Sequence, residues 1–355
     1  MKTSAQLVHK QNTLVDHLKH IGNVVPNVIM DPVTGPNEKY RYKARLGVRN
    51  VRKKEKVLVG IRERGSSFIT DTNKCEVLHE SVGQHIAEIA VCLSALELKE
   101  KIPQIEVAIG DNQTVLVFRH LEIMPNEDKE SLKQLCEKYN YVAYLQAGKP
   151  DDLELLWPEK AKPLYYQLPE FNVKFEFVPS DFTQVNPDIN RKMVSIALGL
   201  LELKETDNVL DLFCGLGNFS LPLSRKCQSV TAVEGSLSMV KKARDNAQLN
   251  DVTNIEFVFG DLYNDKTLSE PWVKKQYNKV LLDPPRSGAA EVIGCLAKMK
   301  PEIIVYVSCH PATLARDAGI LVHQLGYHLT NAGILDMFPH TAHVESIAVF
   351  KLVDK

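Results

Sequence analysis

The spacing of apolar side chains predicts a helix near the start of the chain. Within residues 5–21, Leu14, Leu18 and Ile21 recur at intervals of three and four residues, which places them on one face of a helix. Residues 25–36 are rich in Pro and Gly and predict a linker after this helix.

The next part of the chain mixes strand-like and helix-like patterns. Alternating apolar and polar positions predict strands, and Gly110-Asp111-Asn112 predicts a hairpin turn between two of them. The predicted strands cover 41–51, 56–63, 104–109, 114–119 and 172–178, and residues 81–98 form a predicted helix. We therefore expect a smaller α+β domain with antiparallel pairing over residues 38–178.

Beyond residue 179, apolar strands alternate with helices. The predicted strands are 208–213, 229–233, 254–259, 279–282 and 303–307, followed by two closing, antiparallel strands at 328–335 and 343–352. This alternation predicts βαβ units and a parallel sheet covered on both faces. The expected fold class is α/β, with residues 179–355 as the main domain and residues 1–37 as a helix and linker that pack on it.

Composition narrows the class of protein without revealing its activity. The 355 residues are 44% hydrophobic and 25% charged, which is typical of a water-soluble globular protein. No apolar run approaches the roughly 20 residues that a membrane helix needs. Seven cysteines without regular spacing argue against a disulfide framework, so we expect a reducing, cytoplasmic location.

The charge is unevenly distributed along the chain. The net charge is −1, yet residues 39–64 contain eleven Lys or Arg and two Glu. Such a basic segment can follow a phosphate backbone, and it can equally be the solvated outer face of a strand pair. Both interpretations stay open at this point.

A glycine-rich turn after the first strand of the main domain predicts a ligand site. Residues 209–220 contain an apolar strand, an acid and Gly215-Leu-Gly217, while Ser220 stands where a dinucleotide fingerprint would have a third glycine. Glu234 and Asp261 follow the next two strands. Acids at three consecutive strand ends resemble the Rossmann-like class I methyltransferases, which bind S-adenosylmethionine; the alternative is that each acid caps a helix.

Candidate reactive groups follow later strands of the same sheet. Cys309 comes directly after strand 303–307, Asp283-Pro284-Pro285 follows strand 279–282, and Glu345 lies in the last strand. A cysteine near a base and a bound methyl donor suits nucleophilic catalysis. A cysteine at a strand end is also commonly an inert packed residue, and Asp-Pro-Pro also occurs in amino-methyltransferases, which place an aromatic residue where this chain has Arg286.

Four motifs in order resemble the bacterial uracil-C5 RNA methyltransferases. They are DLFCGLGNFSLPL, LLDPPRSG, YVSCHPATLARD and LDMFPHTAHVES. The resemblance extends to SDFTQVNPDINRKM and HKQNTLVDHLKHIG and so spans nearly the whole chain. Within the family it favours the enzymes of large-subunit (23S) ribosomal RNA.

The resemblance implies a role for each candidate residue. Cys309 is the expected nucleophile and Glu345 the expected base. The expected S-adenosylmethionine contacts are Gln184, Phe213, Asn218, Glu234, Asp261 and Asp283. Phe182 and Phe213 are as suited to core packing as to ligand contact. The RNA partner must present its uridine unpaired or flipped out, and we expect neither a membrane nor an obligate protein partner.

The chain departs from the family pattern in three places. Family members usually carry an N-terminal β-barrel domain called TRAM, and a [4Fe-4S] cluster on four cysteines. Cys75 matches one cluster ligand and the others are absent, so we expect no cluster, whether the chain is truncated or naturally short. His310 stands where the family usually has Asn.

Rival functions remain open on sequence alone. The same chemistry on transfer RNA or on another ribosomal uridine fits the motifs almost equally well. An inactive RNA-binding module is disfavoured by the presence of Cys309 and Glu345, and a cytosine-C5 enzyme normally lacks the late Glu.

Overall fold

The structure is a computed structural model that describes residues 3–63, 65–149, 152–264 and 269–353. The helices, in chain order, are α1 Thr3–His20, α2 Glu80–Gly83, α3 Ile86–Ala95, α4 Asn126–Lys138, α5 Pro187–Leu200, α6 Ser220–Ser224, α7 Leu237–Leu249, α8 Ala290–Met299 and α9 Pro311–His323. The strands are β1 Val28–Ile29, β2 Lys43–Val51, β3 Lys56–Gly60, β4 Gln104–Ile109, β5 Thr114–Arg119, β6 Tyr141–Gln146, β7 Leu153–Trp157, β8 Leu164–Leu168, β9 Val173–Phe177, β10 Asn208–Leu212, β11 Ser229–Glu234, β12 Ile255–Phe259, β13 Lys279–Leu282, β14 Ile303–Ser308, β15 Tyr327–Leu335 and β16 Glu345–Leu352.

Two compact units make up the chain. The large unit comprises Met1–Gly35, Gln167–Phe175 and Asp188–Lys355, and the small unit comprises Pro36–Tyr166 and Glu176–Pro187. Compactness therefore groups residues 167–175 with the large unit and 176–187 with the small one. The functional division at residues 37 and 178 stays a prediction.

The large unit is built on an eight-stranded sheet. Its order is β1-β15-β16-β14-β13-β10-β11-β12, and β10 to β14 pair in parallel. The closing pair β15–β16 is antiparallel, as the sequence predicts. The interpretation of residues 25–36 as a linker alone is wrong, because Val28 and Ile29 pair in parallel with β15 and extend the sheet.

Both faces of the central strands are buried, since Val209, Leu281 and Val305 on one face are as buried as their neighbours on the opposite face. Strand residues such as Leu210, Val280 and Ile304 are fully buried and pack with apolar residues of the surrounding helices. Leu14 and Leu18 of α1 belong to the same cluster. Central parallel strands read as continuous apolar runs because neither of their faces meets water. Among the described residues, no helix combines the length and apolarity that a membrane span requires.

The small unit contains a six-stranded sheet in the order β3-β2-β4-β5-β6-β7. The predicted hairpin is confirmed, since β4 and β5 pair with Ile109 opposite Thr114. The expectation of purely antiparallel pairing is wrong in one place, because β5 and β6 run parallel. The strands β8 and β9 form a separate two-stranded sheet.

The single helix predicted over residues 81–98 is also wrong, since α2 and α3 replace it. The carbonyl of Gly83 accepts a hydrogen bond from the Cys75 amide at 2.9 Å, and the Ala87 amide donates to the Asn73 carbonyl at 3.2 Å. A Cβ on Gly83 would lie 2.5 Å from the Cys75 carbonyl oxygen. A continuous helix would need the Gly83 carbonyl and the Ala87 amide for its own hydrogen bonding, and here both are bonded to residues 73–75 instead.

Candidate active site

The register of the large sheet aligns the ends of its parallel strands. Leu212 pairs with Val233 on one side and with Leu282 on the other, and Leu282 pairs with Tyr306. The residues that follow these strands therefore emerge along one edge. This is the edge at which open α/β sheets bind their ligands.

The turn after β10 brings backbone groups close to Glu234. One Glu234 oxygen accepts from the Gly215 amide at 3.1 Å, and the other accepts from the Ser236 amide at 3.0 Å. Gly215 has a φ of +55°, and a Cβ there would meet no atom within 4 Å, so the backbone faces open space. Gly217, with a φ of +90°, could not accept a side chain without striking Leu221.

The acids at the strand ends are not helix caps in the large unit. The N-cap of helix α7 is Ser236, whose side chain accepts a hydrogen bond from the Met239 amide at 3.5 Å. Glu234 therefore does not cap this helix. Asp261 accepts from the Tyr263 amide at 3.1 Å within a turn.

The ring of Phe213 lies 5.8 Å from the ring of Tyr263, measured between their centroids. Phe213 thus packs at the site as well as against the core.

Asn218 is held by a partner that the sequence did not single out. Its side-chain amide exchanges two hydrogen bonds with that of Asn190, at 3.0 and 2.9 Å. Asn190 lies on α5 and is 4% exposed. The only signal for it was its place in the motif SDFTQVNPDINRKM, because no local pattern marks a long-range amide pair.

Two carboxyl groups belong to the ends of neighbouring strands: the buried Asp211 lies in β10, and the half-buried Asp283 follows β13. The pKa of Asp211 is raised to about 7, chiefly by burial and also by the charges of Asp283 and Glu234, although the hydrogen bond that the Ser220 hydroxyl donates to Asp211 lowers it. Burial alone raises the pKa of Asp283 to about 7. One Asp211 oxygen, Oδ1, has no hydrogen-bond partner among the described protein atoms. A buried acceptor without a partner is a feature of some ligand sites.

We expect Asp283→Asn to change how stability depends on pH. The folded-state pKa of Asp283 exceeds its unfolded value, so the stability contributed by this group is present at low pH and is lost as the pH rises through about 7. Relative to the wild type, D283N should therefore gain about 2–3 kcal/mol in unfolding free energy between pH 5 and pH 8. Urea denaturation at both pH values measures this. Asp245→Asn, on the exposed side of α7, is the matched control, and an equal gain in both variants would contradict the assignment.

The ladder between β14 and β16 places Cys309 beside Glu345. Ser308 pairs with Ser346, whose buried hydroxyl donates to the Ser308 carbonyl at 3.1 Å. In an antiparallel pair the residue after Ser308 lies opposite the residue before Ser346. Cys309 is half-buried and Glu345 is 4% exposed. The structure thus brings together two residues that are 36 positions apart in the sequence.

Acidic neighbours and burial dominate the electrostatics of this pair. Burial raises the pKa of Glu345 well above its usual value, and the charge of Asp283 adds to the effect. Burial, then Glu345 and Asp283, raise the pKa of the Cys309 thiol to about 11, whereas Arg286 lowers it. The nearby Arg286 guanidinium is therefore the group that favours the thiolate.

Arg286 is tied to two segments of the large unit. Its side chain lies 3.3 Å from Nδ1 of His343, and its carbonyl accepts from the Thr313 hydroxyl at 3.2 Å. The sequence marked Arg286 only by the absence of an aromatic residue, so its electrostatic role was missed.

His310, which stands where the family usually has Asn, is exposed. Its backbone amide donates to the Ser308 hydroxyl at 3.1 Å.

The remaining predicted residues lie in the small unit. Gln184 belongs to residues 176–187 of that unit. Phe182 is 72% exposed, so the core-packing interpretation of Phe182 is wrong. The contact of Gln184 with a methyl donor stays a prediction.

Cys75, which matches a ligand of the family's cluster, lies in the small unit. Cys75 is half-buried and borders a small cavity with Lys74 and Ile86. Across the described residues, no three His, Cys, Asp or Glu side chains are grouped so that they could hold a metal. The described residues thus offer no ligand set for an iron–sulfur cluster. No step below involves one, and its absence stays a prediction.

The chain resembles known proteins over nearly its whole length. Residues 2–352 match the family described as tRNA (Uracil-5-)-methyltransferase. The 23S rRNA (uracil(1939)-C(5))-methyltransferase RlmD of Francisella tularensis subsp. holarctica (strain OSU18) is 49% identical, over 99% of this chain and 80% of that protein. The RlmD of Hahella chejuensis is 48% identical, over 98% of this chain and 78% of that protein.

A solved structure supports the fold independently. The tRNA (uracil-54, C5)-methyltransferase of Pyrococcus abyssi, in complex with S-adenosyl-L-homocysteine, matches with a TM-score of 0.74 and 23% identity. The match covers 99% of this chain and 84% of that one, and it confirms the predicted class I fold. With the family match over residues 2–352, it follows that the chain belongs to the tRNA (uracil-5-)-methyltransferase family and is an S-adenosylmethionine-dependent methyltransferase.

Proposed function

We propose that the protein methylates C5 of a uridine in 23S ribosomal RNA, with Cys309 as nucleophile and Glu345 as base. The observation that carries this proposal is the β14–β16 register, which sets the two side chains next to each other at the ligand-binding edge of the sheet. The RNA assignment rests on the 49% identity to an enzyme named for 23S rRNA.

Uracil C5 needs covalent activation because it is a weak nucleophile. The Cys309 thiolate adds to C6, and the C5=C6 electrons move into an enolate through C4 and its oxygen. C5 then takes the methyl group, and the electrons of the methyl–sulfonium bond remain on the donor's sulfur. Glu345 removes the proton from C5, the C5=C6 bond forms again, and the thiolate leaves C6.

The electrostatics suit Glu345 to the last step. A carboxylate accepts a carbon-bound proton better when its pKa is raised toward the working pH. Burial and the charge of Asp283 raise the pKa of Glu345 in this way. Cys309, with a pKa near 11, is mostly protonated at neutral pH. The positive charge of Arg286 opposes this, because it stabilises the thiolate and so increases the thiolate fraction.

The residues present at the sheet edge fit S-adenosylmethionine, which supplies an electrophilic methyl group. Glu234 would hold the ribose hydroxyls and Asp261 the adenine amine, with backbone at the open face of Gly215 nearby. Phe213, Asn218, Asp283 and Gln184 complete the proposed set through the family resemblance. The unpartnered oxygen of Asp211 supports a bound polar group here.

The basic segment 39–64 is the proposed RNA-binding surface of the small unit. Its attraction for phosphate is weakened by ion pairs within the unit. Acids from elsewhere in that unit, exposed except for the half-buried Glu106, pair with five of its cations. The pairs are Lys39–Glu80, Arg45–Glu106, Arg52–Glu100, Lys54–Asp71 and Lys56–Asp71. Exposed ion pairs are weak, about 0–1 kcal/mol, so phosphates can compete for the cations. The target base must still be unstacked to reach Cys309.

A competition assay tests the substrate class. With methyl-labelled donor and equimolar unmodified 23S rRNA, 16S rRNA and bulk tRNA, we expect 23S rRNA to receive at least ten times more label than either competitor. Digestion to nucleosides should recover the label as 5-methyluridine. Transfer RNA is the second candidate, favoured by the description of the matching family. Label mainly in tRNA would support that candidate, and label in no RNA would indicate an inactive binding module.

A further inference from the structure

Helix α1 carries a buried charge on its apolar stripe. The buried residues of α1 are Lys10, Leu14 and Leu18, which are spaced four apart and so share one face. Lys10 is 3% exposed. An apolar residue would occupy this position without loss of solvation, so the charge needs a specific explanation.

Two hydrogen bonds replace the water that the buried Lys10 ammonium group lacks. The Lys10 ammonium donates to Asp336 Oδ1 at 2.7 Å and to the Phe338 carbonyl at 2.8 Å. Asp336 is itself buried, and its amide donates to the Val33 carbonyl at 2.8 Å. Replacing a buried ion pair by apolar residues is often neutral or stabilising, so stability alone does not explain why the chain has this pair.

The bonded segment leads directly to Glu345. Residues 336–344 connect β15 to β16, and β16 begins with Glu345. A second contact from α1 holds the same loop, because the Gln6 side chain accepts from the His340 amide at 3.0 Å. At the far end of the loop, His343 lies 3.3 Å from the Arg286 side chain. The loop is therefore fixed by α1 on one side and by the segment beside Cys309 on the other.

We propose that Lys10 is a positioning residue for Glu345: it fixes loop 336–344 so that the carboxylate faces the C5 proton of the covalent intermediate. The proposal rests on the proposed role of Glu345. It implies that loss of the Lys10 contacts slows deprotonation more than it slows thiol addition or methyl transfer. An adduct of Cys309 with methylated RNA should then accumulate.

The test compares full-length variants on 23S rRNA with methyl-labelled donor. The main variant is Lys10→Met with Asp336→Leu, which removes both buried charges together and so avoids an unpaired one. Gln6→Ala, at a more exposed contact of the same loop, is a second variant for the case in which the first does not fold. Lys19→Met, at an exposed position on α1, is the matched control. Denaturing gels separate covalent protein–RNA complexes from free RNA.

We expect the double variant to lose turnover about 10-fold to 100-fold and to accumulate labelled covalent complex, with a smaller effect of the same kind in Q6A and none in K19M. Glu345→Gln serves as the reference for a trapped complex. If E345Q accumulates complex while the folded Lys10 and Gln6 variants do not, the positioning role is overturned and the role of Glu345 stands. If E345Q itself accumulates none, both are overturned.

Discussion

Cys309→Ala is expected to abolish methyl transfer, with a loss of more than about 10⁴-fold in single-turnover rate. The reason is chemical: without a bond to C6, the C5 carbon cannot acquire enolate character. The other described thiol that follows a parallel strand at this edge, Cys214, is buried, and burial raises its pKa well above the usual value. Such a loss corresponds to at least about 5 kcal/mol of activation free energy. Binding of the methyl donor should change little, because Cys309 is not one of the proposed donor contacts, and all of these except Gln184 lie at or after the ends of strands β10 to β13.

A 5-fluorouridine-substituted 23S rRNA fragment provides the direct measurement. Fluorine at C5 cannot leave as a proton, so the wild type should form a stable covalent complex that contains label. C309A should form none, and Cys92→Ala, which removes a half-buried thiol of the small unit, should behave as the wild type. Covalent complex in C309A would show that another nucleophile performs the addition.

The parallel part of the large sheet could be predicted because its strands are short apolar runs between helices. The predicted ends of β10 and β13 match the structure to within one residue. Once parallel pairing is assumed, the residues at the ends of β10, β11 and β12 must share an edge. Together with the Gly-x-Gly turn and the class I methyltransferase pattern, this suggested Glu234 and Asp261. Strand ends and their common direction are therefore enough to predict the edge, whereas the roles of the two acids stay predictions.

Features that depend on contacts distant in sequence could not be predicted. Lys10 looks like an ordinary polar position of an amphipathic helix, and only Asp336, 326 residues later, reveals that it is buried. Likewise, cations of segment 39–64 have acidic partners in other segments: Arg45 faces Glu106 across paired strands, and Arg52 pairs with Glu100 outside the sheet. The number of cations in the segment therefore overstates its positive field. The break between α2 and α3 follows Gly83, where the backbone of residues 73–75, outside both helices, bonds to Gly83 and Ala87.

Glu345→Gln is expected to separate the two halves of the reaction. Glutamine keeps the size of the side chain but cannot accept the C5 proton, so thiol addition and methyl transfer proceed and elimination stops. Turnover should fall about 10²-fold to 10⁴-fold, the usual contribution of a positioned base. Methylated RNA should remain attached to Cys309 even when the substrate carries ordinary uridine.

The measurement is the fraction of labelled RNA that migrates with the protein on a denaturing gel after a single turnover. For E345Q we expect most of the label in that band, whereas the wild type should release all of its label as free RNA. Glu202→Gln, which removes an exposed partner of Lys351, is the matched control and should release product normally. The double variant C309A/E345Q must lose the band, because the bond in question joins the RNA to that sulfur. If E345Q turned over at the wild-type rate, the proton would have to leave C5 by another route, and Asp283, whose charge acts on both Cys309 and Glu345, would become the group to test.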